Sequence, residues 1–180
     1  MNTPALDRSR VVIEHVSPEI DGGRFPVKRT AGQPLVVEAD VFADGHSLLA
    51  GVLRYRFIPG ATGDVWEETP LRFLDNDRWT AQFTPEQIGA YAYTLEAWID
   101  AFESWREGLA KWLAADQVSE GELLEGAALI SAASGRAKTR RAGADARWLA
   151  EQAATLAAAG PLNARAQSAL AVRLRELMSR

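Results

Sequence analysis

Proline and alanine divide this chain. Seven of its eight prolines fall before residue 86, and 22 alanines fall after residue 100. Proline fixes φ and has no amide donor, so it collects in turns and at strand ends. Alanine is the best helix former. No single pattern of backbone structure satisfies both parts, so the sequence predicts an α+β chain. Residues 10–100 are expected to form an antiparallel β-sandwich, and residues 101–180 an alanine-rich helical bundle.

The first part carries short β-branched and aromatic runs spaced about every ten residues without intervening helices, the pattern of an antiparallel sandwich. Seven strand segments are expected: Arg10–Val16, Phe25–Arg29, Leu35–Phe42, Leu53–Phe57, Val65–Leu74, Trp79–Phe83 and Gly89–Ile99. Pro26 limits the second to an edge. Val37, Ala39 and Val41 alternate with Glu38 and Asp40, and Leu53, Tyr55 and Phe57 with Arg54 and Arg56, giving one buried and one wet face. In the last strand Tyr91, Tyr93, Leu95, Ala97 and Ile99 share a face. Pro59–Gly63 reads as a loop, and Asp75-Asn76-Asp77 as a tight hairpin turn.

After Asp100 the period changes. Phe102, Trp105, Leu109 and Trp112 step by three and four, predicting a helix over 101–115. Ser119 with Glu122 has the spacing of a capping box, opening a second helix. A basic connector is expected from Gly135 to Gly143. A third helix spans 144–159 and stops at Gly160-Pro161. A last one is capped by Asn163 and striped by Ala166, Leu170, Leu174 and Leu177.

The composition excludes whole classes of chemistry. Without cysteine there are no disulfides, thiolate metal sites or cysteine nucleophiles, which fits a reducing cytoplasm. No apolar run approaches the ~20 residues that cross a bilayer, and Met1–Arg10 lacks the apolar core of a signal peptide. A net charge of −4 argues against nucleic acid as partner. The charge is uneven: residues 1–100 hold 9 Lys/Arg and 15 Asp/Glu, residues 101–180 hold 11 and 9. No phosphate-cradling glycine loop, nucleophile elbow or zinc motif is present. His15 and His46 stand far apart without a third ligand, so no metal and no cofactor are expected. Glu67 and Glu68 are adjacent and point to opposite faces of a strand, and Asp75 and Asp77 fit turn chemistry. The cluster Arg136, Lys138, Arg140 and Arg141 reads as solvated.

Tryptophans carry most of the remaining information. Trp66 and Trp79 are expected on neighbouring strands of one hairpin, with Trp98 at the end of the last strand. An exposed row of such rings would stack on sugar; the competing assignment is core filling. Trp105 and Trp112 are candidates for an interface, either with the sandwich or with a partner.

Several blocks, in order, resemble one family. They are Arg10–Pro18, Asp21–Lys28, Asp40–His46, Asn76–Trp79, Gly89–Trp98, Trp105-Arg106 and Glu122–Ala127. Together they are similar to the start of bacterial α-1,4-glucan:maltose-1-phosphate maltosyltransferases, over residues 10–135. The resemblance implies a cytoplasmic, homodimeric enzyme of the α-amylase superfamily that moves maltosyl units from α-maltose-1-phosphate onto α-glucan by a retaining mechanism. It places the catalytic carboxylates in a barrel C-terminal to the matched region, so none falls on these residues. The matched region is then an immunoglobulin-like domain with a helical extension, whose partners are that barrel and a second subunit. The resemblance further implies a sandwich strand from beyond Arg180, without which a sheet edge is exposed. An α-glucan-binding module is the alternative, with Trp66, Trp79 or Trp98 as stacking residues.

Overall fold

A computed structural model describes residues 11–58 and 65–179. The expectations for Met1–Arg10 and for the Pro59–Gly63 loop lie outside the described residues. The described chain divides into two compact units, one ending at Ile99 and the other beginning at Asp100.

The first unit holds seven strands among the described residues: β1 Val11–Ser17, β2 Leu35–Ala43, β3 Leu49–Phe57, β4 Glu67–Pro70, β5 Arg72–Asp75, β6 Arg78–Phe83 and β7 Tyr91–Ile99. They form two antiparallel sheets, in the orders β1-β2-β6-β5 and β4-β3-β7. The alternation expected of β2 places Leu35, Val37, Ala39 and Val41 inside, with Leu53 from β3 and Ala81 and Phe83 from β6. Tyr91, Tyr93, Leu95 and Ala97 of β7 pack against the same core. The hairpin turn between β5 and β6 is as the sequence predicts. Asp75 pairs with Arg78 across Asn76 (φ 41°) and Asp77 (φ 64°), both left-handed as a two-residue I′ turn requires.

Two strand expectations need correction. Phe25–Arg29 forms no strand; a single bridge joins Ile20 to Phe25 around left-handed Asp21, Gly22 and Gly23, and Pro26 then offers no donor to extend it. Val65–Leu74 is not one strand but two, broken at Pro70-Leu71. The chain there leaves the three-stranded sheet and joins the four-stranded one. Leu71 turns into the core, and its amide donates to the Gly51 carbonyl at 2.8 Å. A Cβ on Gly51 would lie 2.6 Å from the Leu71 side chain, so the crossing needs glycine at that point. Trp66 stands just before β4 of the three-stranded sheet and Trp79 in β6 of the four-stranded one, so they do not face each other across a hairpin.

The second unit has five helices among the described residues: α1 Ala101–Ala114, α2 Glu120–Thr139, α3 Gly143–Ala157, α4 Leu162–Ala169 and α5 Val172–Met178. Asp100 caps α1 by accepting the Glu103 amide at 2.9 Å. The Ser119/Glu122 capping box on α2 is present as expected. The core gathers Trp105, Leu109, Leu123, Ile130, Leu149 and Leu156. The basic connector is a third correction: α2 continues through Arg136 and Lys138, whose charges suit a helix C-terminus, and turns only at left-handed Arg141. The last helix is split. Arg106 donates to the Leu170 carbonyl at 3.1 Å, satisfying an end carbonyl of α4, and α5 restarts at Val172. Asn163 lies inside α4 and donates to Asp116 at 2.6 Å; Pro161 stands at the cap position.

Candidate functional site

The β unit has a groove of about 760 Å³. It is walled by Ile13 and Val16 of β1, by the segment from Glu19 to Ala31, and by Gly89 and the run Tyr91–Leu95. Leu35 and Phe83, both core residues, form part of its floor, so the groove opens onto the hydrophobic core itself. Phe25 (51% exposed) and Ile88 (95% exposed) stand at its rim. The Tyr93 hydroxyl donates to the Pro18 carbonyl, and burial pushes its pKa up, keeping it a donor.

A second surface is the outer face of the three-stranded sheet. Cross-strand partners share a face. Arg54 pairs with Glu68 and Thr94, Val52 with Glu96 and Pro70, and Ala50 with Trp98. Arg54 donates to Glu96 at 2.6 Å and lies 3.2 Å from Glu68. The Trp66 ring sits below the guanidinium groups of Arg54 and Arg56, at 5.5 and 4.9 Å. Trp98 is 46% exposed at the far end of the face. The fold therefore brings Trp66 and Trp98 to one side. Trp79 faces the other way: it packs on the core, meets Phe73 edge-on at 5.5 Å and donates to the Val41 carbonyl at 3.2 Å.

The four-stranded sheet carries a polar chain. The His15 Nδ1 lies 2.7 Å from Asp40, Asp40 accepts from Arg78 at 3.0 Å, and Arg78 donates to Glu38 at 3.2 Å. The Arg78 hydrogen bond, then that of His15, holds the Asp40 carboxyl below its usual range. Among the described residues no hydroxyl bonds to His15, so this pair lacks a nucleophile to activate. His46 is exposed. Among the described residues, no group of three or more His, Cys, Asp or Glu is placed to hold a metal. No described helix is long and apolar enough to cross a membrane.

In the helical unit Trp105 is enclosed by that unit's own core. Its indole donates to the Glu122 carbonyl at 2.8 Å, and its ring occupies the space above Gly126 where any Cβ would collide. Trp112 is half-buried against the same core. Arg136 and Arg140 line a smaller pocket of about 210 Å³ with Leu149, Leu177 and Met178.

Sequence reasoning missed the groove. Its signal was nonetheless present: Gly89–Ile99 contains no proline and one charged side chain, Glu96, which is sparse protection for a strand that ends a sheet.

Comparison with known sequences places the chain. The family described as "Alpha-1,4-glucan:maltose-1-phosphate maltosyltransferase, domain N/S" matches residues 9–180. Among curated relatives, the α-1,4-glucan:maltose-1-phosphate maltosyltransferase of Myxococcus xanthus (strain DK1622) is 48% identical over 147 residues, which is 81% of this chain and 22% of that one. The protein of the same name from Chlorobaculum tepidum is 43% identical, over 79% of this chain and 21% of its own length. That of Burkholderia pseudomallei (strain K96243) is 36% identical, over 88% and 14%. The matched stretch thus spans about a fifth or less of these relatives. With the family matched across nearly its whole length, the chain belongs to the domain N/S family of the α-1,4-glucan:maltose-1-phosphate maltosyltransferases.

Proposed function

We propose that this chain is a non-catalytic, cytoplasmic assembly domain of a maltosyltransferase that builds α-glucan from α-maltose-1-phosphate. In this reading an immunoglobulin-like sandwich and an alanine-rich bundle together position the catalytic barrel of the full-length enzyme and contribute to its homodimer. The observation that carries it is the match of residues 9–180 to the N/S domain, against the small share of each relative that the chain covers. The strand orders support the immunoglobulin-like form, since β1-β2-β6-β5 opposite β4-β3-β7 reproduces a four-strand sheet facing a three-strand one. Trp105 serves the interior of the helical unit, and half-buried Trp112 remains the aromatic of that stripe offered to a partner. The test is direct. The chain alone should release no phosphate from α-maltose-1-phosphate in the presence of glycogen, and turnover above background would sink the proposal.

The outer face of the three-stranded sheet favours a second reading, an α-glucan-binding module. Trp66 and Trp98 share that face with charged side chains able to bond hydroxyls. Retardation of the chain in glycogen-containing gels, abolished by Trp98→Ala, would support it. Equal mobility with and without glycogen would exclude it.

A further inference from the structure

Helix α2 ends in more positive charge than its dipole offsets. Arg136, Lys138, Arg140 and Arg141 all lie at its C-terminal end. A helix C-terminus carries roughly half a negative charge, so one basic side chain is enough to meet it. Arg136 and Arg140 stand one turn apart on the same face, where like charges repel. That face does not simply meet water. It borders the pocket of about 210 Å³.

The pocket is built within the helical unit. Ala133 and Ala137 come from α2, Leu149 from α3, and Leu177 and Met178 from the end of α5. Leu149 and Leu177 are buried residues of the helical core, so the floor is apolar and continuous with it. Arg136, Arg140 and Asp145 bring the charges of the lining, two positive against one negative. Arg140 and Asp145 are each already engaged by another group. Among the described residues no acidic side chain forms an ion pair with Arg136. Its guanidinium is therefore the group left to meet a ligand.

We infer that this pocket binds a small organic anion, with a compact apolar body on the floor and a carboxylate or phosphate head on Arg136. Size sets the body. An apolar cavity of about 150 Å³ takes up benzene, so about 210 Å³ admits one such ring with its substituent. Charge sets the head, because a guanidinium fork matches two oxygens of a carboxylate or a phosphate. A neutral ligand leaves the repulsion between Arg136 and Arg140 in place, and an anion without an apolar body leaves the floor against water. Each half alone is a poorer fit than the two together. The floor offers no side-chain partner for the hydroxyls of a sugar, which separates this site from the α-glucan reading of the three-stranded sheet. The inference does not depend on the assembly role.

The experiment titrates the 180-residue chain, labelled at its alanine and methionine methyl groups, and follows those methyls by NMR. The probes are benzoate and phenyl phosphate (ring and anionic head), benzyl alcohol (ring alone) and acetate (head alone). Benzoate, phenyl phosphate or both should shift the Ala137 and Met178 methyls with a Kd on the order of 1 mM, ordinary for so small a ligand. Benzyl alcohol and acetate should each bind about tenfold more weakly, since each lacks one of the two contacts. Arg136→Gln should weaken the ring-bearing anion about tenfold and leave benzyl alcohol unchanged. Arg136 is exposed, so this variant keeps the fold, which far-ultraviolet circular dichroism verifies. Ala137→Met, which fills the cavity, should abolish binding of every ring compound. The inference is overturned if neither ring-bearing anion shifts those two methyls, or if benzyl alcohol or acetate binds as tightly as they do. It is equally overturned if Arg136→Gln or Ala137→Met leaves the anion's affinity unchanged. None of these readouts involves turnover or glycogen, so they fail separately from the assays of the proposed function.

Discussion

The two units are of similar length and solve burial differently. The helical unit closes on itself: Trp105, Leu123, Ile130, Leu149 and Leu174 are all buried, and even Arg165, at 6% exposure, is absorbed by bonding Glu120 and the Leu156 carbonyl. The β unit has a smaller fully buried set, and its core reaches the surface at the groove, where Leu35 and Phe83 meet a cavity. A closed core with capped helices is a part that holds its own shape. An open core beside a groove is a part that still has apolar surface to give. The difference assigns the two units different tasks, and it can be attacked by substitution.

The largest expected effect is at the centre of the closed core. Trp105→Ala removes a ring whose indole is bonded and whose space Gly126 keeps free, and should destabilise the chain by about 3–5 kcal/mol. Chemical denaturation followed by helical circular dichroism reads it. A loss under about 1 kcal/mol would mean that the ring is not enclosed as described.

Leu123→Ala and Leu53→Ala compare the two units with the chemistry held fixed, since both side chains are fully buried. Each deletion falls within about 2–5 kcal/mol, and the cost rises with the volume the surroundings fail to refill. Leu123 lies in the helical core and does not line that unit's small pocket, so Leu123→Ala should lie near the upper end. The β core has an open side, so Leu53→Ala should lie near the lower end. A reversed order would break the contrast between closed and open cores.

Much of this was legible in the sequence because it is local. Alternation in Leu35–Val41, the left-handed pair Asn76-Asp77 and the capping box at Ser119 each depend on neighbours a few residues away. What was hidden depended on distant partners. The split at Leu170 follows from Arg106, which lies 64 positions earlier, and the sheet change at Leu71 follows from Gly51. Basic residues from Gly135 on looked like a loop because charge and glycine outweighed the alanines; their place at a helix C-terminus makes the charge favourable. The tryptophans were recognisable as important, but which face each took required the pairing of β3 with both neighbours. The groove was the least legible, since β1, the segment from Glu19 to Ala31 and β7, which meet there, are far apart in the chain.

The smallest expected effect is in the acid limb. Asp40 in the β unit and Glu120 in the helical unit both have carboxyls held below their ordinary values of 3.8 and 4.5, by Arg78 and then His15 in the first case and by Arg165 in the second. A carboxyl depressed in the folded state stabilises it above the unfolded value, and that contribution is lost as pH falls through the lower, folded value. Both pairs should therefore weaken the fold only below about pH 4.5, and more gently in high salt. The two should not be equal. Asp40→Asn leaves Arg78 bonded to Glu38, so the acid limb of stability against pH should flatten slightly. Glu120→Gln removes the carboxylate that, among the described residues, bonds the buried Arg165 guanidinium and leaves it the Leu156 carbonyl, so flattening should be greater and should come with lower stability at neutral pH. Equal slopes for the two variants would show that burial of Arg165 confers no dependence on its partner, and would remove the polar part of the contrast between the closed and open units.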